Sequence, residues 1–219
     1  VFNKKRVSKK EIENNYLGPQ YSNDAILKTI KNNKLKYTKL KNIEKFIARE
    51  IYQGKIVGHF YGPMEFGHRA LGNRSILADP RIKKNKDKVN KLIKFRENFR
   101  PFAPATLIEF ANDIFEMPKK RKVNFMERVY MIKKKWRFKI PAVTHVDGSG
   151  RIQTVSKENN MRFYKIIKEF YNLTSVPVIL NTSFNLNGEP VVMTPEDAIR
   201  TFYTCGLDIL ILNDFVITK

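Results

Sequence analysis

The chain has 219 residues, 42% of them hydrophobic, enough for one large domain or two small ones with a substantial core. Its 42 Lys and Arg against 21 Asp and Glu give a formal charge of +21, so it attracts polyanions: nucleic acid, nucleotides or an acidic membrane surface. One cysteine excludes an internal disulfide, three scattered histidines without a CxxC argue against a structural metal, and no apolar run reaches about 18 residues, so a cytoplasmic chain without a membrane partner is expected.

Residues 1–13, charged and lacking a core face, read as a tail or linker before one domain over 14–219. The turn-rich YLGPQYS (16–22) leads into a helix over about 23–33, capped by Ser22 and favoured at its start by Asp24. A second helix, about 42–53, sets Ile43, Phe46, Ile47 and Ile51 at helical spacing and stops at Gly54. KIVGHFYG (55–62) predicts a strand that runs into GPMEFGHRALGNRSILADPR (62–81), a stretch too glycine-rich for a plain helix yet holding Arg69, Arg74 and Arg81.

Further on, KDKVNKLIKFREN (86–98) predicts a basic helix, and FRPFAPATLI (99–108), broken by Pro101 and Pro104, an extended segment. Residues 116–140 are lysine-rich and loop-like apart from a strand at VYMI, while PAVTHVDGSGRIQTVS (141–156) predicts two short strands around the turn DGSG. The 160–172 segment is an amphipathic helix whose Phe163, Ile166, Ile167 and Phe170 face the core. PVILNTSFN (177–185) reads as a buried strand leading to a polar loop. In TPEDAIRTFYTCG (194–206), Thr194 caps a helix, Pro195 takes its first turn, Glu196 and Asp197 favour its start and Gly206 ends it. LDILILNDFVIT closes as a strand or hairpin turning at Asn213-Asp214. Strands and helices mixed without regular alternation predict a single α/β domain with a mixed sheet.

Four stretches place basic or hydroxyl groups in loops beside strands, where they can converge. EFGHRALGNRS offers Arg69 and Arg74, KFRENFRPF offers Lys94, Arg96 and Arg100, and HVDGSGRIQT offers His145, Asp147 and Arg151. NTSFNLNGEP adds Asn181, Thr182, Ser183 and Asn185. Guanidinium groups bind phosphate oxygens through paired, charge-assisted hydrogen bonds, lysine adds a point charge, and glycine-rich loops lend amide donors. The set describes a pocket for a ligand with several phosphates. Neither a P-loop nor a GxGxxG is present. His145 and Asp147 also suit a pair that simply holds a turn.

The strings MEFGHRALGNRSILADPR, FRENFRPFAPA, AVTHVDGSGRIQTV and VPVILNTSFNLNGEPVV, in that order, resemble the C-terminal half of the NodU/CmcH/TobZ carbamoyltransferase family. The resemblance covers roughly residues 16–219 and implies a YrdC-like fold: a twisted mixed sheet flanked by helices around a basic cleft. It implies activation of carbamoyl phosphate by ATP, with Mg2+, to a carbamoyl-adenylate. A preceding Kae1-like, metal-binding half would then pass the group to a small-molecule hydroxyl acceptor. Carried over by position, the pocket would use Arg69, Lys94, Arg100, Arg151 and Ser183. One departure stands out: His68 occupies the place where that family usually has proline, which would stiffen the turn.

The alternative is a YrdC-like RNA-binding module, supported by the bulk charge. Against it, the aromatic residues do not interleave with the basic runs in a stacking pattern, and the arginines lie in glycine loops instead of along one helix face.

Overall fold

A computed structural model describes residues 15–219, and the expected tail over 1–13 lies outside the described residues. Nine strands among them form one mixed sheet. In chain order they are β1 (Thr38–Lys39), β2 (Val57–Phe60), β3 (Arg74–Ala78), β4 (Ala103–Leu107), β5 (Arg128–Met131), β6 (Ser149–Val155), β7 (Val178–Ser183), β8 (Ile209–Leu212) and β9 (Phe215–Thr218). Across the sheet the order is β1-β9-β8-β2-β3-β7-β4-β6-β5. The helices are α1 (Asn23–Asn32), α2 (Ile43–Tyr52), α3 (Lys83–Leu92), α4 (Ala111–Ile114), α5 (Lys134–Arg137), α6 (Met161–Thr174) and α7 (Pro195–Tyr203). The α/β class and the mixed sheet are as expected.

Local chemistry explains most boundaries. Ser22 accepts a hydrogen bond from Ala25 N at the start of α1, and Asn160 accepts one from Phe163 N at the start of α6. At α7 Thr194 and Asp197 form a reciprocal capping box behind Pro195. The β8–β9 hairpin turns at Asn213-Asp214 as expected, with Asn213 in the left-handed region at φ 51°. β2, β3 and β4 are buried at every position because layers cover both sides of the sheet. Helix α2 packs on α6, which lies over β4 and β7, and α7 lies over β2 and β8.

Two expectations fail. The basic helix begins at Lys83 and ends at Leu92, so Lys94, Arg96 and Arg100 leave it for a loop. Asn90, buried on its last turn, is the cause: its side chain accepts from Arg96 Nε at 2.7 Å and donates to Arg100 O at 3.0 Å, a set of partners that a continuing helix would not offer. In 141–156 only β6 is a strand. Residues Pro141–Val143 form a 3-10 turn, because Ala142 N bonds to Pro80 O instead of to a neighbouring strand.

The register decides where the loops meet. β3 runs antiparallel to β7 with Ser75 opposite Ser183, and β4 runs antiparallel to β7 with Ala103 opposite Asn181. β6 is parallel to β4. The entries to β3, β4 and β6 and the exit of β7 therefore share one end of the sheet. Those are the four stretches named above.

Candidate functional site

At the exit of β7, Lys94 is almost fully buried, and its Nζ donates to Ser183 O at 2.5 Å, Asn185 Oδ1 at 2.6 Å and Asn185 O at 3.0 Å, with Ser183 Oγ at 3.3 Å. Ser183 Oγ in turn donates to Asn185 Oδ1 at 2.7 Å. An ammonium has three hydrogens, so four surrounding oxygens more than satisfy its charged form. Burial and the neighbouring Arg96 charge nevertheless push its pKa down to about 7. Phe95, at φ 44°, turns the chain so that it stands exposed itself while Lys94 and Arg96 on either side go inward.

Three guanidinium groups share this end of the sheet. Burial holds Arg151 below the usual arginine range, and the charges of Arg69 and Arg96 add to the effect. Burial does the same to Arg96, assisted by Arg100. Arg96 also lies over the Phe102 ring, 5.0 Å from its centroid. Among the described residues neither Arg69 nor Arg151 has a carboxylate partner, and Arg151 Nε is buried with no hydrogen bond. Half-buried cations that are close enough to repel and have no protein counter-charge among the described residues are an arrangement suited to an external anion.

The other sequence candidates divide. Arg100 stands at the exposed rim, ion-paired with Glu97 at 3.0 Å. His145 Nδ1 lies 3.0 Å from Ser149 Oγ, and Asp147 accepts from Ser149 N at 2.9 Å, so both fasten the 145–149 turn; His145 still feels the Arg151 charge. Three candidates are corrected. Arg74 is fully buried, donates to the carbonyls of Pro19, Tyr61, Gly62 and Asn73, and lies 3.7 Å over the Phe60 ring, so it braces the fold instead of meeting a ligand. Asn181 is also fully buried, donating to Ala70 O and Gln153 Oε1. Thr182 falls between Asn181 and Ser183 on β7, so the strand's alternation sends it to the other face. Arg81 is likewise structural, held by Asp79 at 2.7 Å.

Sequence reasoning passed over Gln153 and Glu65. Gln153 joins Asn181 to Leu71 O at 2.9 Å, and buried Glu65 accepts from three backbone amides of the first loop. A lone acid inside the basic stretch 62–78 was the available signal for Glu65. Gly72 is essential to the same loop: at φ 118° its missing Cβ would lie 2.5 Å from Phe163. The aromatic expectation also needs amendment, since exposed Phe95 and Phe99 alternate with Arg96 and Arg100 at the rim.

A cavity of about 610 Å³ opens against Ser183 and Asn185, walled by Met64, His68, Val192 and Met193. A second, of about 570 Å³, is lined by Tyr16, Leu71, Asn124, Gln153 and Arg162, and two of its amides already bond each other, Asn160 donating to Asn73 at 2.9 Å. Among the described residues no group of three or more His, Cys, Asp or Glu is placed to hold a metal ion, and no helix is long and apolar enough to cross a membrane.

A family model described as Carbamoyltransferase C-terminus matches residues 48–219. Nodulation protein NolNO of Sinorhizobium fredii is 48% identical over 173 residues, 78% of this chain and 25% of that protein. An uncharacterized protein of Methanocaldococcus jannaschii is 40% identical over 215 residues, 96% of this chain and 35% of that protein. The chain thus spans 25% to 35% of the length of these two relatives. Among solved structures, full-length HypF in its phosphate- and nucleotide-bound form shares the fold, with a TM-score of 0.54 at 15% identity over 84% of this chain and 23% of that one. All four loops that meet at the basic end of the sheet lie inside the matched segment, and the chain belongs to the Carbamoyltransferase C-terminus family.

Proposed function

We propose that this chain activates a carbamoyl group: it binds carbamoyl phosphate and ATP with Mg2+ and forms carbamoyl-adenylate. The observation that carries the reading is the Arg69, Arg96 and Arg151 cluster beside Lys94, in which Arg69 and Arg151 have no carboxylate partner among the described residues. Water releases phosphate from carbamoyl phosphate and leaves carbamate. A carbamate oxygen then attacks the α-phosphorus of ATP, the bond to the bridging oxygen breaks, and pyrophosphate departs. Every partner in that step is an anion, so the barrier includes their mutual repulsion, which fixed cations lower. Arg69, Arg96 and Arg151 neutralise the phosphates, with Arg100 joining from the rim. Lys94 holds Ser183 and Asn185 in place, and Ser183 serves as a hydrogen-bond donor by turning its one hydroxyl hydrogen from Asn185 to the ligand, not as a nucleophile. The nucleotide in the HypF structure of the same fold is in keeping with this assignment.

Transfer to a hydroxyl acceptor belongs in this reading to a Kae1-like half of a longer protein, since the relatives extend well beyond the matched segment. The test is ATP turnover dependent on carbamoyl phosphate, followed as pyrophosphate release. Losing one charged contact of this kind costs about 2–4 kcal/mol in the transition state, so Arg69→Ala and Arg151→Ala are each expected to be slower by about 30- to 1,000-fold. Full rate and affinity in both variants would remove the assignment.

A further inference from the structure

We propose that Glu65 is a positioning residue for the anion cradle: its buried carboxylate folds the 65–74 loop so that Arg69 is presented to Arg151. The inference rests on the cradle reading above. Glu65 is the only acid between Gly62 and Ala78, and it is 4% exposed. Its Oε1 accepts from Leu71 N at 2.7 Å, Asn73 N at 2.7 Å and Arg74 N at 3.2 Å. Three amides on one oxygen tie Leu71, Asn73 and Arg74 to a single point of the Glu65 side chain. Burial is the dominant effect and raises the Glu65 pKa above the usual carboxylate range, with these amides pulling only partly the other way.

The rest of that limb is fastened residue by residue. Ala70 O accepts from Asn181, Leu71 O from Gln153 and Tyr16, and Gly72 N donates to Ser75 Oγ at 3.0 Å, while Gly72 O lies 2.6 Å from His59 Nδ1. Phe66 is tied to Asn15. Between these anchors Gly67, His68 and Arg69 make no hydrogen bond among the described residues. The tip carrying Arg69 therefore has no hold of its own. Its position is set by the two limbs that Glu65 joins, one being its own chain and the other the amides at 71–74. A loop with an unanchored tip keeps a cation beside another cation only if its base is rigid.

The test combines amide hydrogen exchange with a double-mutant cycle on the full 219-residue chain, using pyrophosphate as the probe. In Glu65→Ala, exchange is expected to speed up at Leu71, Asn73 and Arg74 while β7 and β8 stay protected. Pyrophosphate binding should weaken about ten-fold or more when Arg69 is present, and less than about two-fold further when Arg69→Ala is already in place. Glu65→Gln, which keeps one acceptor oxygen, should fall between. Effects that multiply in the cycle, or unchanged exchange at 71–74, overturn the proposal. If Glu65→Ala does not fold, Glu65→Gln answers by the same two measurements. If the wild-type chain binds no pyrophosphate, the cradle reading falls, and the exchange pattern still decides whether Glu65 holds the loop.

Discussion

Lys94 combines two demands that oppose each other. Four oxygens favour its ammonium, while burial and Arg96 favour the neutral amine and bring its pKa to about 7. In the unfolded chain a lysine titrates near 10.4, about three units higher. Between about pH 7 and about pH 10 the unfolded state therefore holds a proton that the folded state lacks, and stability rises with pH by up to about 1.4 kcal/mol per unit from this residue. Below that window both states are charged and the contribution is flat. Urea unfolding across the window should show this slope, and Lys94→Met should flatten it. Pyrophosphate affinity should move the opposite way, falling as the pH rises through about 7 and the cradle loses a charge. A wild-type stability curve no steeper than that of Lys94→Met would contradict the assignment of Lys94 as a depressed, buried amine.

Elements in this chain start and stop by local rules until a long-range partner intervenes. Helix α7 obeys them throughout, with the capping box of Thr194 and Asp197, proline in the first turn and Gly206 just beyond its end. Thr194→Ala removes one acceptor for an otherwise unpaired helical amide and should cost about 1 kcal/mol, read as a lower urea midpoint with an unchanged slope. No shift in the midpoint would mean that Asp197 alone suffices. Helix α3 shows the other outcome. Nothing in KDKVNKLIKFREN forbids continuation, yet buried Asn90 captures Arg96 and the Arg100 carbonyl, and the chain leaves the helix at Ile93. That early stop frees Lys94, Arg96 and Arg100 to reach the site. Periodicity marked the helix, but its end depended on a side chain bonding outside it.

At the scale of the molecule, the main core runs from the helices α1 and α2 through the sheet to the hairpin β8–β9, and the proposed anion site lies where the cationic loops meet at the end of that sheet. On the proposed reading, a chain of +21 with self-repelling guanidinium groups at one end would gain from a bound anion in two ways: the ligand would bind only the folded state, and it would relieve the repulsion. Pyrophosphate at about 100 times its Kd should raise stability by about 2.7 kcal/mol, seen as a higher Tm. Arg69→Ala should abolish most of that rise while leaving the anion-free Tm unchanged or slightly higher, because a repulsive partner is gone. A variant with a lower anion-free Tm and an undiminished pyrophosphate response would show that Arg69 serves the fold and not the ligand.

Capping residues, hydrophobic spacing and turn residues are local, so α1, α2, α6, α7 and the final hairpin were legible in the sequence, as were the four loops rich in anion-binding groups. Which of those groups the fold itself occupies, and which it leaves without a partner, was a tertiary decision. Arg69, Arg74 and Arg81 share one side chain and one stretch, but Arg74 meets the carbonyl of Pro19, Arg81 meets Asp79, and Arg69, without an ion pair or hydrogen bond among the described residues, acts on the Arg151 charge. A guanidinium bonds whatever acceptors the fold brings within reach, and those arrive from 55 positions away for Arg74 and, for the ammonium of Lys94, from 89. No local pattern encodes such distances; strand register does.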